Sequence, residues 1–299
     1  MNASSSKPFG DLSGVERVVT HGLPSVRVQT AAASGLVFLQ GAHIAAWVPA
    51  GQTPVIWLSE QAVYQSGKAL RGGVPICFPW FGAHPEHDDF PQHGFARTTP
   101  FEYVGARLDD SGRCELELAL VASAGTRALF PHEFDARLRV AFGATLGMAF
   151  SVTNTGAESF SFEEALHSYF HVADVHAAAI VGLQGAKYRD KVRALADLTE
   201  SAPELRLSGE TDRVYESTAA CTIVDPPGKR SIQIEKSSSE TTVVWNPWAD
   251  KAAKMSDFGA HAWPQMLCVE SANTAAARIS LAPGETHTLS VTVRVASAG

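Results

Sequence analysis

Apolar and polar residues alternate along this chain in short runs separated by turn-forming residues, and sustained 3.6-residue periods are few. That pattern predicts strands with one buried face. Residues 114–122, 136–142 and 147–154 are clear cases, spaced as a meander. Residues 221–224 and 231–235 flank Asp225-Pro-Pro-Gly-Lys-Arg230, whose prolines and glycine supply turn geometry, so a hairpin is predicted there. A second hairpin is predicted where residues 277–281 and 286–295 flank Ala282-Pro-Gly-Glu285, closing the chain on a strand. One helix is expected, over residues 249–257. No repeat and no linker divides the sequence. The expected architecture is all-β: a large antiparallel β-sandwich with few short helices, spanning residues 15–299 as one domain behind a flexible N-terminal arm, residues 1–14, where Asn2-Ala-Ser-Ser-Ser6 offers little to bury.

Composition narrows the function classes. A chain of 299 residues with 45% hydrophobic content can bury a large core. Its net charge of −7, with no Lys/Arg cluster, argues against nucleic acid as a partner. No stretch has the apolar length of a membrane span or of a signal-peptide core, so no membrane partner and a cytoplasmic location are expected. Cys77, Cys114, Cys221 and Cys268 are far apart, without a Cys-x-x-Cys pair, and are expected to be reduced and buried.

Four stretches depart from ordinary strand sequence. Ala69-Leu-Arg-Gly-Gly-Val-Pro-Ile-Cys-Phe-Pro-Trp-Phe-Gly82 sets Arg71 beside glycines that permit close backbone approach and beside Phe78, Trp80 and Phe81, which could wall a sugar site or form a rigid aromatic corner of the core. His84-Pro-Glu-His-Asp-Asp-Phe-Pro-Gln-His-Gly-Phe-Ala-Arg97 is crowded with metal-ligand types, yet its spacing and prolines fit no helical ligand motif. A capping loop is expected, with Gln92, His93 and Arg97 turned inward, His84, Glu86, His87, Asp88 and Asp89 solvated, and no metal. In Phe160-Ser-Phe-Glu-Glu-Ala-Leu-His-Ser-Tyr-Phe-His171, a continuous strand would place His167, Tyr169 and His171 on one face. Each could be a satisfied structural residue, and His171 is read as one. Finally, Val243-Val-Trp-Asn-Pro-Trp248 is followed by Met266-Leu-Cys-Val-Glu270, where a carboxylate ends an apolar run. Such a glutamate is either solvated at a strand end or paired and functional.

Together, Leu70-Arg-Gly-Gly-Val-Pro75, Phe78-Pro-Trp-Phe-Gly82, Gln92-His-Gly-Phe-Ala-Arg97, Ala165-Leu-His-Ser-Tyr-Phe170, Trp245-Asn-Pro-Trp248 and Cys268-Val-Glu270 resemble the hexose-6-phosphate mutarotase (glucose-6-phosphate 1-epimerase) branch of the aldose 1-epimerase family, from about Gly22 to Val295. The resemblance implies a galactose-mutarotase-like supersandwich that needs no cofactor and exchanges the α and β anomers of a hexose 6-phosphate. It places the catalytic acid on His167 and the base on Glu270. Arg71, Gln92 and Arg97 match substrate-contacting positions, Asp212 the hydroxyl-binding aspartate, and His93 a neighbour of the ring oxygen. The pair would work with Glu270 ionised and His167 protonated, giving a bell-shaped pH profile. The alternatives are an aldose 1-epimerase for unphosphorylated sugars and a non-catalytic carbohydrate-binding module.

Overall fold

The computed structural model describes residues 12–297. Most of the expected arm therefore lies outside the described residues. Its end is held by Gln29 donating to the carbonyl of Gly14 at 2.7 Å and Val15 to that of Leu12 at 3.1 Å.

Two large sheets face each other. One has nine strands: Glu204–Leu205, Ala179–Val181, Cys221–Asp225, Arg230–Ser237, Thr286–Ser297, Thr145–Asn154, Phe134–Phe142, Cys114–Val121 and Glu102–Leu108, in that spatial order. Thr145–Asn154, Phe134–Phe142 and Cys114–Val121 are the predicted meander, two of them starting two residues earlier than expected, and Glu102–Leu108 adds a fourth strand to it. The other has eight, running Ala196–Thr199, Lys187–Asp190, Thr211–Glu216, Thr241–Asn246, Met266–Asn273, Glu164–Leu166 and Ile76–Cys77, with Tyr169–His171 also paired to Met266–Asn273. A four-stranded meander, from Val15–Thr20 to His43–Pro49, packs alongside. All pairings between these strands are antiparallel. Along Thr145–Asn154 every second residue is buried, so Leu146, Met148, Phe150 and Val152 enter a common core with Leu166, Val244, Leu267 and Val269 from the facing sheet. Each such side chain contributes roughly 1.5–3 kcal/mol by leaving water.

Three expectations are corrected. The hairpin over residues 277–295 does not form: Ile279–Leu281 pairs with Phe160–Phe162, while Thr286–Ser297 pairs with Thr145–Asn154 and Arg230–Ser237. Asn154 makes the difference, since its side chain donates to the Leu281 carbonyl while its backbone bonds to residues 284 and 285, so the turn passes from one sheet to another. The helix covers only Trp248–Ala252. Beyond it, Met255 and Phe258 pack onto Trp57 and Trp245 in irregular turns, with the Ser59 hydroxyl 2.8 and 2.9 Å from the carbonyls of Asp257 and Phe258. Residues 160–171 form three short strands, broken where the His167 N–H donates to Pro75 and the Tyr169 N–H to Gly73. His171 lies on the same short strand as Tyr169. Its carbonyl accepts from buried Arg230 at 2.6 Å, in keeping with a structural role.

Candidate functional site

The site lies on the face of the eight-stranded sheet that is turned away from the sandwich core. Within Met266–Asn273 all eight residues are buried, with Leu267 and Val269 joining the core and Cys268, Glu270 and Ala272 alternating to the opposite face. Register then places the neighbours. Trp245 and Tyr169 lie opposite Cys268, Val243 opposite Glu270, and Asp212 opposite Trp245. One apolar cluster (Trp57, Tyr169, Trp245, Phe258, Cys268) covers one side of this face, and another (Cys77, Phe81, Ala165, Val214, Val243, Ala272) the other. Glu270 sits between them.

His167 reaches it because the break in its strand lets the imidazole stack on Tyr169, with ring centroids 4.7 Å apart and planes 8° from parallel. His167 Nε2 lies 3.4 Å from Glu270 Oε1, and the two side chains are 10% and 1% exposed. The second polar atom of each, His167 Nδ1 and Glu270 Oε2, is buried without a hydrogen-bond partner among the described residues. Leaving such atoms unsatisfied costs about 1–3 kcal/mol each, a cost that a site can carry when a ligand supplies the partners. Burial holds the His167 proton affinity well below the ordinary imidazole range, reinforced by His93, Arg97 and Arg71. Burial raises that of Glu270 well above the carboxylate range, with Asp212 pushing the same way and Lys191 and Arg97 opposing. Burial thus favours a neutral imidazole beside a protonated carboxyl. The charged pair expected from the sequence is its tautomer, with the same single proton.

The other predicted residues divide by how they reach this pair. Arg71 Nε and Nη2 are each 3.3 Å from Asp257 Oδ2, and Nη1 donates to the Tyr169 hydroxyl at 3.2 Å, which ties the guanidinium to the ring beneath His167. Arg97 donates from Nη2 to the Gln92 carbonyl at 2.6 Å, while its buried Nε has no partner among the described residues. Gln92 is exposed and offers its backbone, so the expected inward side chain is not seen. His93 Nδ1 accepts the Gly82 N–H at 3.2 Å, and its ring stands 5.9 Å from that of His167. Asp212 Oδ1 is 3.4 Å from Lys191 Nζ.

Two contributors escaped the sequence: Lys191, inside a charged run, and Asp257, inside a stretch read as helix. Neither position carries a periodic signal. In the loop before Gln92, Glu86, His87, Asp88 and Asp89 are exposed as expected, His87 stacking on Phe90 at 4.4 Å, whereas His84 is half-buried against Trp80. Among the described residues, the three donor side chains that come close enough to hold a cation are His167, Cys268 and Glu270, within 4.8 Å of one another. Burial raises the Cys268 proton affinity well above the ordinary thiol range, which suits a neutral packing residue, and we assign no cation there.

The model of the family described as Aldose 1-epimerase matches residues 24–294. This chain belongs to the aldose 1-epimerase family. A protein of Cenchrus ciliaris named "Putative glucose-6-phosphate 1-epimerase" is 32% identical over 291 residues, covering 93% of this chain and 85% of its own length. One of the same name from Salmonella typhimurium is 35% identical over 239 residues, 78% of this chain and 77% of its own. Among solved structures, one described as a "putative mutarotase (YeaD)" from Salmonella typhimurium superposes with a TM-score of 0.90 at 30% identity, covering 97% of both chains. A galactose mutarotase-like protein from Lactobacillus casei, 18% identical with a TM-score of 0.72 over 91% of this chain and all of its own, shares the fold. The aldose 1-epimerase assignment thus extends over both large sheets and over every residue of the candidate site.

Proposed function

We propose that this protein interconverts the α and β anomers of a hexose 6-phosphate, with glucose 6-phosphate as the first substrate to test. The observation that carries the reading is the His167–Glu270 pair: 3.4 Å apart, buried, and each with a polar atom left without a partner among the described residues. Anomer exchange requires a proton to leave the anomeric hydroxyl while another reaches the ring oxygen; the open aldehyde then turns about its C1–C2 bond and closes from the other face. Glu270 takes the first proton and His167 gives the second. Ring opening leaves a protonated carboxyl and a neutral imidazole, the state that burial favours. The open intermediate is thereby matched to its surroundings, and closure runs the transfers in reverse.

The ring oxygen lies next to C5, which bears C6, so a 6-phosphate would lie on the His167 side. After burial and His93, Arg97 and then Arg71 act on His167, and a guanidinium presents a planar fork of donors suited to phosphate oxygens. The names of the relatives from Cenchrus ciliaris and Salmonella typhimurium support the same substrate class. One observation favours unphosphorylated sugars as a second reading: Arg71 is already engaged by Asp257 and Tyr169.

The test is α/β exchange measured by magnetisation-transfer NMR on glucose 6-phosphate and on glucose, for wild type and Glu270→Gln. Acceleration for glucose 6-phosphate that Glu270→Gln removes is the expected result. Acceleration for glucose alone would select the second reading, and none for either sugar would overturn both in favour of a binding module.

A further inference from the structure

Lys191 belongs to no motif and yet is held with care. Its backbone N–H donates to the Asp212 carbonyl at 2.9 Å, and the preceding Asp190 carboxylate accepts from the N–H groups of Val192 and Arg193, fixing the turn that carries it. Its ammonium is 3.4 Å from Asp212 Oδ1 and 4.8 Å from the centroid of the Phe81 ring. Phe81 packs in the same cluster as Val214 and Val243, and Val243 is the register partner of Glu270. The cation is therefore held by Asp212 over Phe81, in the cluster that flanks Glu270 through Val243, while Arg71 lies on the other side, tied to the Tyr169 ring that stacks on His167.

We propose that Lys191 is a positioning residue for the acid–base pair, its anchored ammonium stabilising the carboxylate form of Glu270 from which ring opening starts. This rests on the function proposed above. The groups facing Glu270 are Cys268 on its own strand, Tyr169 on the short strand paired to it, His167 with His93 behind it, Cys77 from the neighbouring short strand, Asp212, Arg97 and Lys191; the adjoining strand Thr241–Asn246 presents Val243 and Trp245. Among these, Lys191 is the cation that opposes protonation of Glu270 most strongly, and Arg97 follows. Asp212 and burial push the other way, so the removal of Lys191 leaves the carboxylate with weakened support.

The experiment compares wild type, Lys191→Met and Lys191→Arg by two readouts. In protein labelled with carbon-13 at glutamate carboxyls, Glu270 is identified by the signal missing from Glu270→Gln and titrated without substrate. Its transition should move up by about one pH unit in Lys191→Met and stay in place in Lys191→Arg. In anomer exchange, the loss acts on the carboxylate and not on the imidazole, so kcat/KM of Lys191→Met should fall about tenfold on the acid limb and through the plateau, and approach the wild-type value on the alkaline limb. A Glu270 transition that does not move, or a loss of kcat/KM equal at every pH, overturns the inference. If the wild type accelerates no anomer exchange, the proposed function fails, and the carboxyl titration still decides the charge role of Lys191.

Discussion

At the scale of single residues, the pair is defined by what each member lacks. Glu270 Oε2 and His167 Nδ1 have no partner among the described residues, so substrate hydroxyls meet groups whose desolvation has already been incurred. Replacing Glu270 by Gln keeps the shape and removes the base, and we expect kcat to fall about 10²- to 10⁴-fold. His167→Asn should fall similarly, and the double variant little further, because the two act as one unit. The working pair holds one proton. Protonating the carboxylate while the imidazole is charged stops the reaction on the acid side, and losing the shared proton stops it on the alkaline side, so kcat/KM against pH should be a bell that flattens in Glu270→Gln. The two arginines differ in what they can still offer. Arg71 is bound on two sides by Asp257 and Tyr169, whereas Arg97 has a buried Nε without a partner among the described residues. Arg97→Ala should therefore raise KM for glucose 6-phosphate by about 10- to 100-fold, as expected for loss of a charge-assisted hydrogen bond, and change KM for glucose far less. Equal changes for both sugars would remove phosphate recognition from Arg97.

At the scale of elements, the segment from Arg71 to Gly82 works because its backbone passes closer to its neighbours than a side chain allows. Gly73 has φ +69°, and a Cβ there would lie 2.2 Å from His43 Nε2 and 2.5 Å from the Ile44 carbonyl oxygen. His43 is itself fully buried and kept neutral, its proton affinity lowered to about 3 by burial and by Arg97, so it has nowhere to move. Gly73→Ala should cost about 1–3 kcal/mol in backbone strain before the overlap with His43 is added, and chemical denaturation would read it as a lower midpoint with little change in slope. Such a position is legible in sequence, since paired glycines beside an arginine announce close approach. So are the strands whose alternation declares one buried face, as in Thr145–Asn154. Alternation says which face is buried and not which strand lies alongside, so it does not reveal that Ile279–Leu281 pairs with Phe160–Phe162. Asp257 and Lys191 were illegible for a related reason. Asp257 bonds to a residue 186 positions away, and nothing local in a turn records so distant a partner. The acid and base were visible as a polar histidine among aromatics and a glutamate ending an apolar run, yet their pairing came only through the family's motifs.

At the scale of the whole molecule, the site sets two titratable groups in a buried face, and the folded chain must carry them at every pH. Elsewhere the fold pairs its buried charges, as where Arg230, 3.7 Å from Asp225, also bonds to Thr53, Pro54 and the His171 carbonyl and links the two large sheets. His167 and Glu270 meet at 3.4 Å, but each keeps a buried polar atom without a partner among the described residues, and their effects on stability have opposite signs. The unfolded chain ionises Glu270 at about 4.5, while burial keeps the proton on in the folded chain to higher pH. Above 4.5 the folded state therefore binds more protons, and the contribution of Glu270 to stability falls as pH rises. The unfolded chain protonates His167 below 6.5, while burial keeps the folded imidazole neutral to lower pH. Below 6.5 the unfolded state binds more protons, and the contribution of His167 rises with pH. Between these values the two slopes, each at most about 1.4 kcal/mol per pH unit, oppose one another in the wild type. Removing one partner exposes the other. Relative to wild type, Glu270→Gln should gain stability steadily as pH rises above 4.5, and His167→Asn should gain it as pH falls below 6.5. Denaturant midpoints across pH 4 to 8 would show two difference curves of opposite slope. Parallel, flat differences would mean that water reaches the pair in the folded chain, and that burial is not what holds its single proton.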